Sequence, residues 1–215
     1  MKELFRLDSR WVQRFAMLTN LVCLNVLWLI CCVPVFTIGA ATAALYHTVF
    51  LYHNKEDDAV LKPFFRAFKE NFKQSTILLL PLLMVLALLV FDVLYLVSIG
   101  TGMAVLFILI VLIVFALGIM VHLFPLIARF QMNAKALLRT AFSLVVLHLP
   151  ATLLVIVLTF LPVFLLFFQP AFFLRVGIAW VGVWFAAIAY FFGKFLLKIW
   201  NKHGPAESEN NELHC

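Results

Sequence analysis

The sequence predicts an all-α, polytopic membrane fold, a bundle of about six transmembrane helices with short interfacial amphipathic helices. Three observations point there. Hydrophobic residues make up 66% of the chain and charged residues only 12%, with a mean hydropathy of +1.11. A soluble domain of this size could not cover its surface with so few polar side chains. Apolar runs recur at about the 20 residues that a helix needs to cross a bilayer. Finally, the Lys and Arg residues fall in short stretches between those runs.

Helix one is expected over about 12–33, preceded by Lys2, Arg6, Arg10 and Arg14. Those cations, with Ala41-Thr42-Ala43 further on, mimic a secretory signal, but such a signal carries an apolar core of only about 7–15 residues. This run is longer and further apolar runs follow, so it reads as a retained helix. Pro34 ends or bends it. Helix two, about 38–52, is the shortest, and its Gly39-Ala40-Ala41-Thr42-Ala43-Ala44 start is only mildly apolar. A re-entrant course is the alternative for it, allowed only where protein surrounds the segment. The same small residues permit close approach to a neighbour and place helix two inside the bundle. Helices three to six follow at about 74–97, 102–127, 143–168 and 176–195, with breaks at Gly100 and Gly102 and at Pro170. Residues 1–203 thus form one helical membrane domain. The tail 204–215, GPAESENNELHC, is polar and expected to be disordered.

Charge sets the topology. Six passes put fifteen of the sixteen Lys and Arg residues on one side and leave only Arg175 opposite. Positive loops stay in the cytoplasm, which gives a multi-pass cell-membrane protein with cytoplasmic N- and C-termini. If helix two did not cross, the segment carrying Lys55, Lys62, Arg66, Lys69 and Lys73 would face outward, against that rule. Within 60–73, Leu61, Phe64, Phe65, Phe68 and Phe72 recur at helical spacing while Lys62, Arg66, Lys69 and Lys73 take the other face. This pattern describes a helix lying in the membrane interface with its apolar side down. Its cationic face anchors to lipid headgroups or docks a cytoplasmic partner. The net charge of +6 therefore speaks for the lipid bilayer as partner and not for nucleic acid, since no soluble basic domain exists to hold one.

Little in the chain suggests turnover. Ionisable residues inside a membrane are functional candidates by default, and Asp92 is the only acid well inside a helix. The topology puts Arg175 near the same outer end, so the two are expected to pair, or Asp92 to face a wet cleft. His47, His122 and His148 fall on three separate helices with no H-x-x-H spacing, which favours hydrogen bonds between helices over a metal site; His122 and His148 are the pair expected to meet. Asn20 and Asn25, with Thr37 and Thr42, must find partners in lipid and are expected to join helices. Cys23, Cys31 and Cys32 lie in the first apolar run and Cys215 is the last residue, with no C-x-x-C pair among them. No P-loop, dinucleotide fingerprint, zincin motif or G-x-S-x-G elbow is present. No enzyme activity, metal or cofactor is expected.

The stretch 18–50, LTNLVCLNVLWLICCVPVFTIGAATAALYHTVF, resembles the YesL family, also called DUF624. That family's signature is an Asn-containing apolar helix, a P-x-x-T-I-G-A-like turn and an Ala-rich helix with a tyrosine. The stretch 64–79, FFRAFKENFKQSTILL, is similar to its second block. Pro34, Thr37, Gly39, Tyr46, Phe68, Asn71, Phe72 and Gln74 carry the resemblance. Pro34 bends the chain, Gly39 permits close backbone approach, and Asn71 and Gln74 sit where an interfacial helix would turn up into helix three. The resemblance implies a bacterial protein that accompanies carbohydrate-uptake ABC transport systems, in a biochemical role that the family does not define. The implied function is that of an accessory or subunit-like component contacting ABC transporter subunits. The E-A-A…G loop of importer permeases is missing, which speaks against a stand-alone permease. The alternative is a small secondary transporter or channel in which Asp92, Asn20 and Asn25 line a polar path.

Overall fold

The structure, a computed structural model, describes residues 10–54, 60–100, 102–130, 132–168 and 170–203, with the side chains of 10–16, 170–176, 178–181 and 202–203 outside the description. Among the described residues there are seven α-helices, one 3₁₀ turn and no strand. They are α1 (Arg10–Cys31), the 3₁₀ turn (Val35–Thr37), α2 (Ile38–Asn54), α3 (Leu61–Ser98), α4 (Met103–Arg129), α5 (Ala134–Leu147), α6 (Leu149–Phe168) and α7 (Pro170–His203). Five stretches, in α2 with its preceding turn, α3, α4, α6 and α7, are long and apolar enough to cross a membrane, and Met17–Cys31 of α1 is a shorter apolar helix. The polytopic all-helical reading stands.

Three boundaries differ from expectation. The amphipathic stretch 60–73 is not a separate interfacial helix that turns near Asn71 and Gln74; it is the first third of the 38-residue α3. Pro63 lies in the first turn, where its missing N–H has no helical acceptor to lose, and no glycine interrupts the ladder after it. The apolar side of this stretch meets protein: Phe64 and Ala67 are fully buried in the core. Second, the run expected as one helix over 143–168 breaks at His148, which adopts φ −122° and ψ 38°. Pro150 follows at once and cannot supply the N–H that a continuous helix would need. The piece before the break, α5, buries Leu137, Ala141, Leu144 and Val145 on one face and exposes Lys135 and Arg139 on the other. Third, Pro170 opens α7, the position at which its fixed φ suits a helix start.

The small residues of α2 set the packing. Ala40, Ala41, Ala43 and Ala44 are fully buried, and α2 packs against α1, α3, α4 and α7. At its start a Cβ on Gly39 would stand 2.9 Å from a ring carbon of Phe124 and 3.2 Å from the carbonyl oxygen of Ser75. One residue on, Thr76 Oγ1 donates to the carbonyl of Phe36 at 3.3 Å. From that contact α2 runs antiparallel along the opening turns of α3, and a short connection joins Asn54 to Leu61. The turn between α1 and α2 therefore docks part-way along α3. At about 1.5 Å per residue, roughly 35 Å of α3 continues past Ser75, and about 30 Å of α4 lies between Met103 and Phe124.

The helices form two hairpins, α3–α4 and α6–α7, which meet at Gly118 of α4. A Cβ at that position would stand 3.1 Å from methyl carbons of both Thr152 and Val145, so the bare backbone is what admits them. Past that crossing each hairpin covers itself and not the other. Leu82, Leu86 and Leu89 form a half-buried stripe on α3, while Met84, Leu88 and Phe91 beside them, Ile108 and Leu112 on α4, and Val163 and Phe167 on α6 stay exposed. Gly39→Val should place two further carbons against backbone and ring, an overpacking cost of about 1–3 kcal/mol. Thermal unfolding in mild detergent should show a lowered midpoint, whereas Gly182→Ala, whose added carbon meets nothing within 4 Å, should leave it unchanged or raised.

Candidate functional site

Two groups of polar residues stand out, one exposed and one buried. Lys62, Arg66, Lys69 and Lys73 are exposed on the first third of α3, opposite the buried Phe64 and Ala67. Arg66 Nε donates to Glu70 Oε1 at 2.9 Å, the one ion pair among the described residues and a largely solvated one. A pair of this kind adds little to stability, so the cations remain available to an anionic partner. Behind them the surface is rigid. Phe68 stacks between Phe64 and Phe72, with centroids 6.4 and 5.7 Å away, Asn71 Nδ2 donates to the carbonyl of Ala67 at 2.9 Å, and Gln74 Nε2 reaches the carbonyl of Met132 at 2.8 Å. That last bond ties α3 to the α4–α5 connection. On neighbouring elements Arg129, Lys135, Arg139, Lys194 and Lys198 are exposed as well, and Arg129 lies 5.4 Å from the Trp200 ring centroid.

The buried group centres on His122, which is fully buried on α4. Its Nε2 lies 2.8 Å from Thr152 Oγ1, and Thr152 in turn donates to the carbonyl of His148 at 3.0 Å. The hydroxyl hydrogen being used, Thr152 accepts from His122, which fixes the Nε2–H tautomer. His122 thus reaches the α5–α6 junction as expected, but through a threonine: the His148 ring packs edge-on against Phe195 instead. Sequence reading missed Thr152 because a threonine in an apolar run bonds its own helix in most cases. The third histidine, His47, lies apart, with Nδ1 3.1 Å from the carbonyl of Ala128. Among the described residues no three His, Cys, Asp or Glu side chains gather as a metal site would require.

The other intramembrane polar residues are structural in placement. Asn25 is fully buried and its Oδ1 accepts from the backbone N–H of Ala186 at 2.9 Å, joining α1 to α7. Asn20 borders a narrow crevice between α1, α2 and α7 that also touches Thr48, Tyr52 and Tyr190. Asp92 is exposed on the C-terminal third of α3 and lines none of the described cavities; its expected partner Arg175 has a side chain outside the described residues. Asp92, Asn20 and Asn25 therefore do not converge on one path. The family-signature residues build the joint between α1, α2 and α3. Pro34 enters the 3₁₀ turn, Thr37 Oγ1 donates to the carbonyls of Cys31 and Pro34, Gly39 takes the close contact with α3, and Tyr46 is buried edge-on to Phe192. Trp28 Nε1 donates to Thr42 Oγ1 at 3.1 Å and closes the same joint from α1, a contact without a spacing signal in the sequence.

Residues 21–93 match the family model described as "Protein of unknown function, DUF624", in agreement with the YesL/DUF624 resemblance. The matched block takes in the second half of α1, the turn, α2 and most of α3. No curated protein and no solved structure matches the chain. Thr152→Val should leave the buried His122 N–H without an acceptor and cost about 1–3 kcal/mol, whereas Thr152→Ser should retain most of the stability. Thermal unfolding of the two variants side by side in detergent measures the difference; equal midpoints would show that the bond contributes nothing.

Proposed function

We propose that this protein, similar over its first helices to an uncharacterised membrane family, is an accessory or subunit-like component of an ABC system for carbohydrate uptake and works by binding partners without catalysing a reaction. The link to such a system comes from the family resemblance. The observation that carries the binding mode is the cationic face of α3. Four cations stand at positions 62, 66, 69 and 73 on a continuous helix whose opposite side is locked into the core. The helix backbone, held on its other side by the core, sets the spacing of these cations, which favours a protein partner with a matching acidic surface. In the proposed orientation both termini and this face lie in the cytoplasm, where a transporter's ATPase or the inner loops of its permease are within reach. The transporter-or-channel alternative needs a polar path, and the two larger cavities among the described residues are lined almost wholly by apolar side chains.

Pull-down of the full-length protein from native membranes should recover permease or ATPase subunits of a sugar importer. The combined variant Lys62→Gln, Arg66→Gln, Lys69→Gln, Lys73→Gln should recover at least tenfold less at equal expression. Recovery of no transporter subunit, together with unchanged sugar uptake in a deletion strain, would remove the proposal.

A further inference from the structure

A part-open chamber of about 350 Å³ lies where the two hairpins meet. Its floor is one face of α2, made of Ile38, Thr42, Leu45 and Tyr46, and its walls are apolar residues of α3, α4, α6 and α7. Two of the polar groups at its edge are engaged: Thr42 Oγ1 donates to the carbonyl of Ile38 while accepting from Trp28, and Thr159 Oγ1 donates to the carbonyl of Val155 at 2.8 Å. A second apolar recess of about 390 Å³, between α6 and α7, shares Val155 and Ile188 with it. Only those side chains separate the chamber from the flank of the bundle.

The depth of the chamber follows from α3. Lys73 is the last cation on that helix, and Leu83 and Leu86 of the chamber wall lie roughly 15–20 Å beyond it at helical rise. The wall therefore sits at the depth of lipid chains, while the α1–α2 turn, docked at Ser75 and Thr76, sits at the level where the cations end. Because α2 runs back alongside Lys62, Arg66, Lys69 and Lys73, a bilayer that enclosed α2 would enclose them as well.

We propose that the α1–α2 hairpin enters and leaves on the cation-bearing side, and that the apolar chamber it closes from below holds one hydrocarbon chain of a membrane lipid. Water does not fill such a space, because a buried water needs two to four polar partners and the walls offer almost none. An unfilled space would forfeit dispersion contacts along every wall, and the surrounding medium supplies matching chains. The chain enters sideways, between hairpins that do not cover each other past Gly118. The polar head stays outside, since none of the side chains lining the chamber carries a charge. This inference is independent of the docking reading: the chamber and the cationic face lie on different parts of α3.

The test is lipid retention by the full-length protein. After purification in mild detergent and extended washing, mass spectrometry of a solvent extract from the wild type should show about one lipid per chain, and the extract identifies it as an acyl lipid or a polyisoprenoid, either of which supports the proposal. Val121→Trp, which fills the chamber, should retain at least tenfold less while eluting as a folded monodisperse species. Val157→Trp, on the exposed side of α6, should retain as much as the wild type. Should Val121→Trp fail to fold, Leu117→Phe makes a smaller intrusion into the same wall and carries the same expectation. A wild type that keeps no lipid, a folded filled variant that keeps the full amount, or a dimer that the filling substitution dissociates would each overturn it. The last outcome would mean that a helix of a second copy is the occupant.

Discussion

The exclusion of Lys and Arg from hydrocarbon governs this architecture, and α3 is the ruler against which it is read. Four cations occupy its first third, and the predominantly apolar remainder carries one charged residue, Asp92. Placing four such side chains near the centre of a bilayer costs about 2.5–3.5 kcal/mol each, on the order of 10 kcal/mol together, as much as the whole stability of a typical domain. Snorkelling lowers that cost only for cations near the boundary. The apolar remainder, roughly 35 Å long, is in turn the thickness of one hydrocarbon layer, about 30 Å, with a modest tilt. Everything packed beside the cationic third, above all α2, shares its depth.

Once the depth is set, the small and polar residues have a common purpose. Alanines along α2 let four helices close around it, and Gly39 and Gly118 leave out a side chain where Phe124 and Ser75, and Thr152 and Val145, come close. Asn25, Thr37, Thr42 and Thr152 each reach a backbone group or a ring nitrogen nearby. Two of these bonds join separate helices: Asn25 with the Ala186 N–H ties α1 to α7, and Thr152 with His122 ties α6 to α4. The result is a polar joint on the cation-bearing side and an apolar interior above it. That division suits a protein that presents a fixed face to a partner and a greasy interior to the bilayer.

Much of this was legible in the sequence. Apolar run lengths revealed the helices, glycine and alanine in the second run revealed its central place, and the spacing of phenylalanines and cations over 60–73 revealed the two faces of that stretch. Other features were hidden for physical reasons. Helical periodicity does not register whether one helix ends before the next begins, so α3 looked like two elements and the α5–α6 pair like one; Pro150 held the clue to the second. A count of cations is blind to a hairpin in which neither α1 nor α2 crosses, because the flanking charges stay on one side in either arrangement. The contact of Gly39 with Ser75 distinguishes them, and that is a fact of packing. The meeting of His122 with Thr152 likewise depends on how two hairpins cross, which local spacing does not encode.

The depth of the α1–α2 turn is the claim on which the rest hangs, and accessibility of single cysteines measures it directly. In a background without Cys23, Cys31, Cys32 and Cys215, a cysteine at Gly102, between α3 and α4, should react with a membrane-impermeant maleimide added to intact cells lacking a wall. A cysteine at Val33, in the exposed turn after α1, should not react under those conditions. Labelling of position 33 from outside as readily as position 102 would contradict the account, since the hairpin would then span the bilayer and carry the chamber floor across with it.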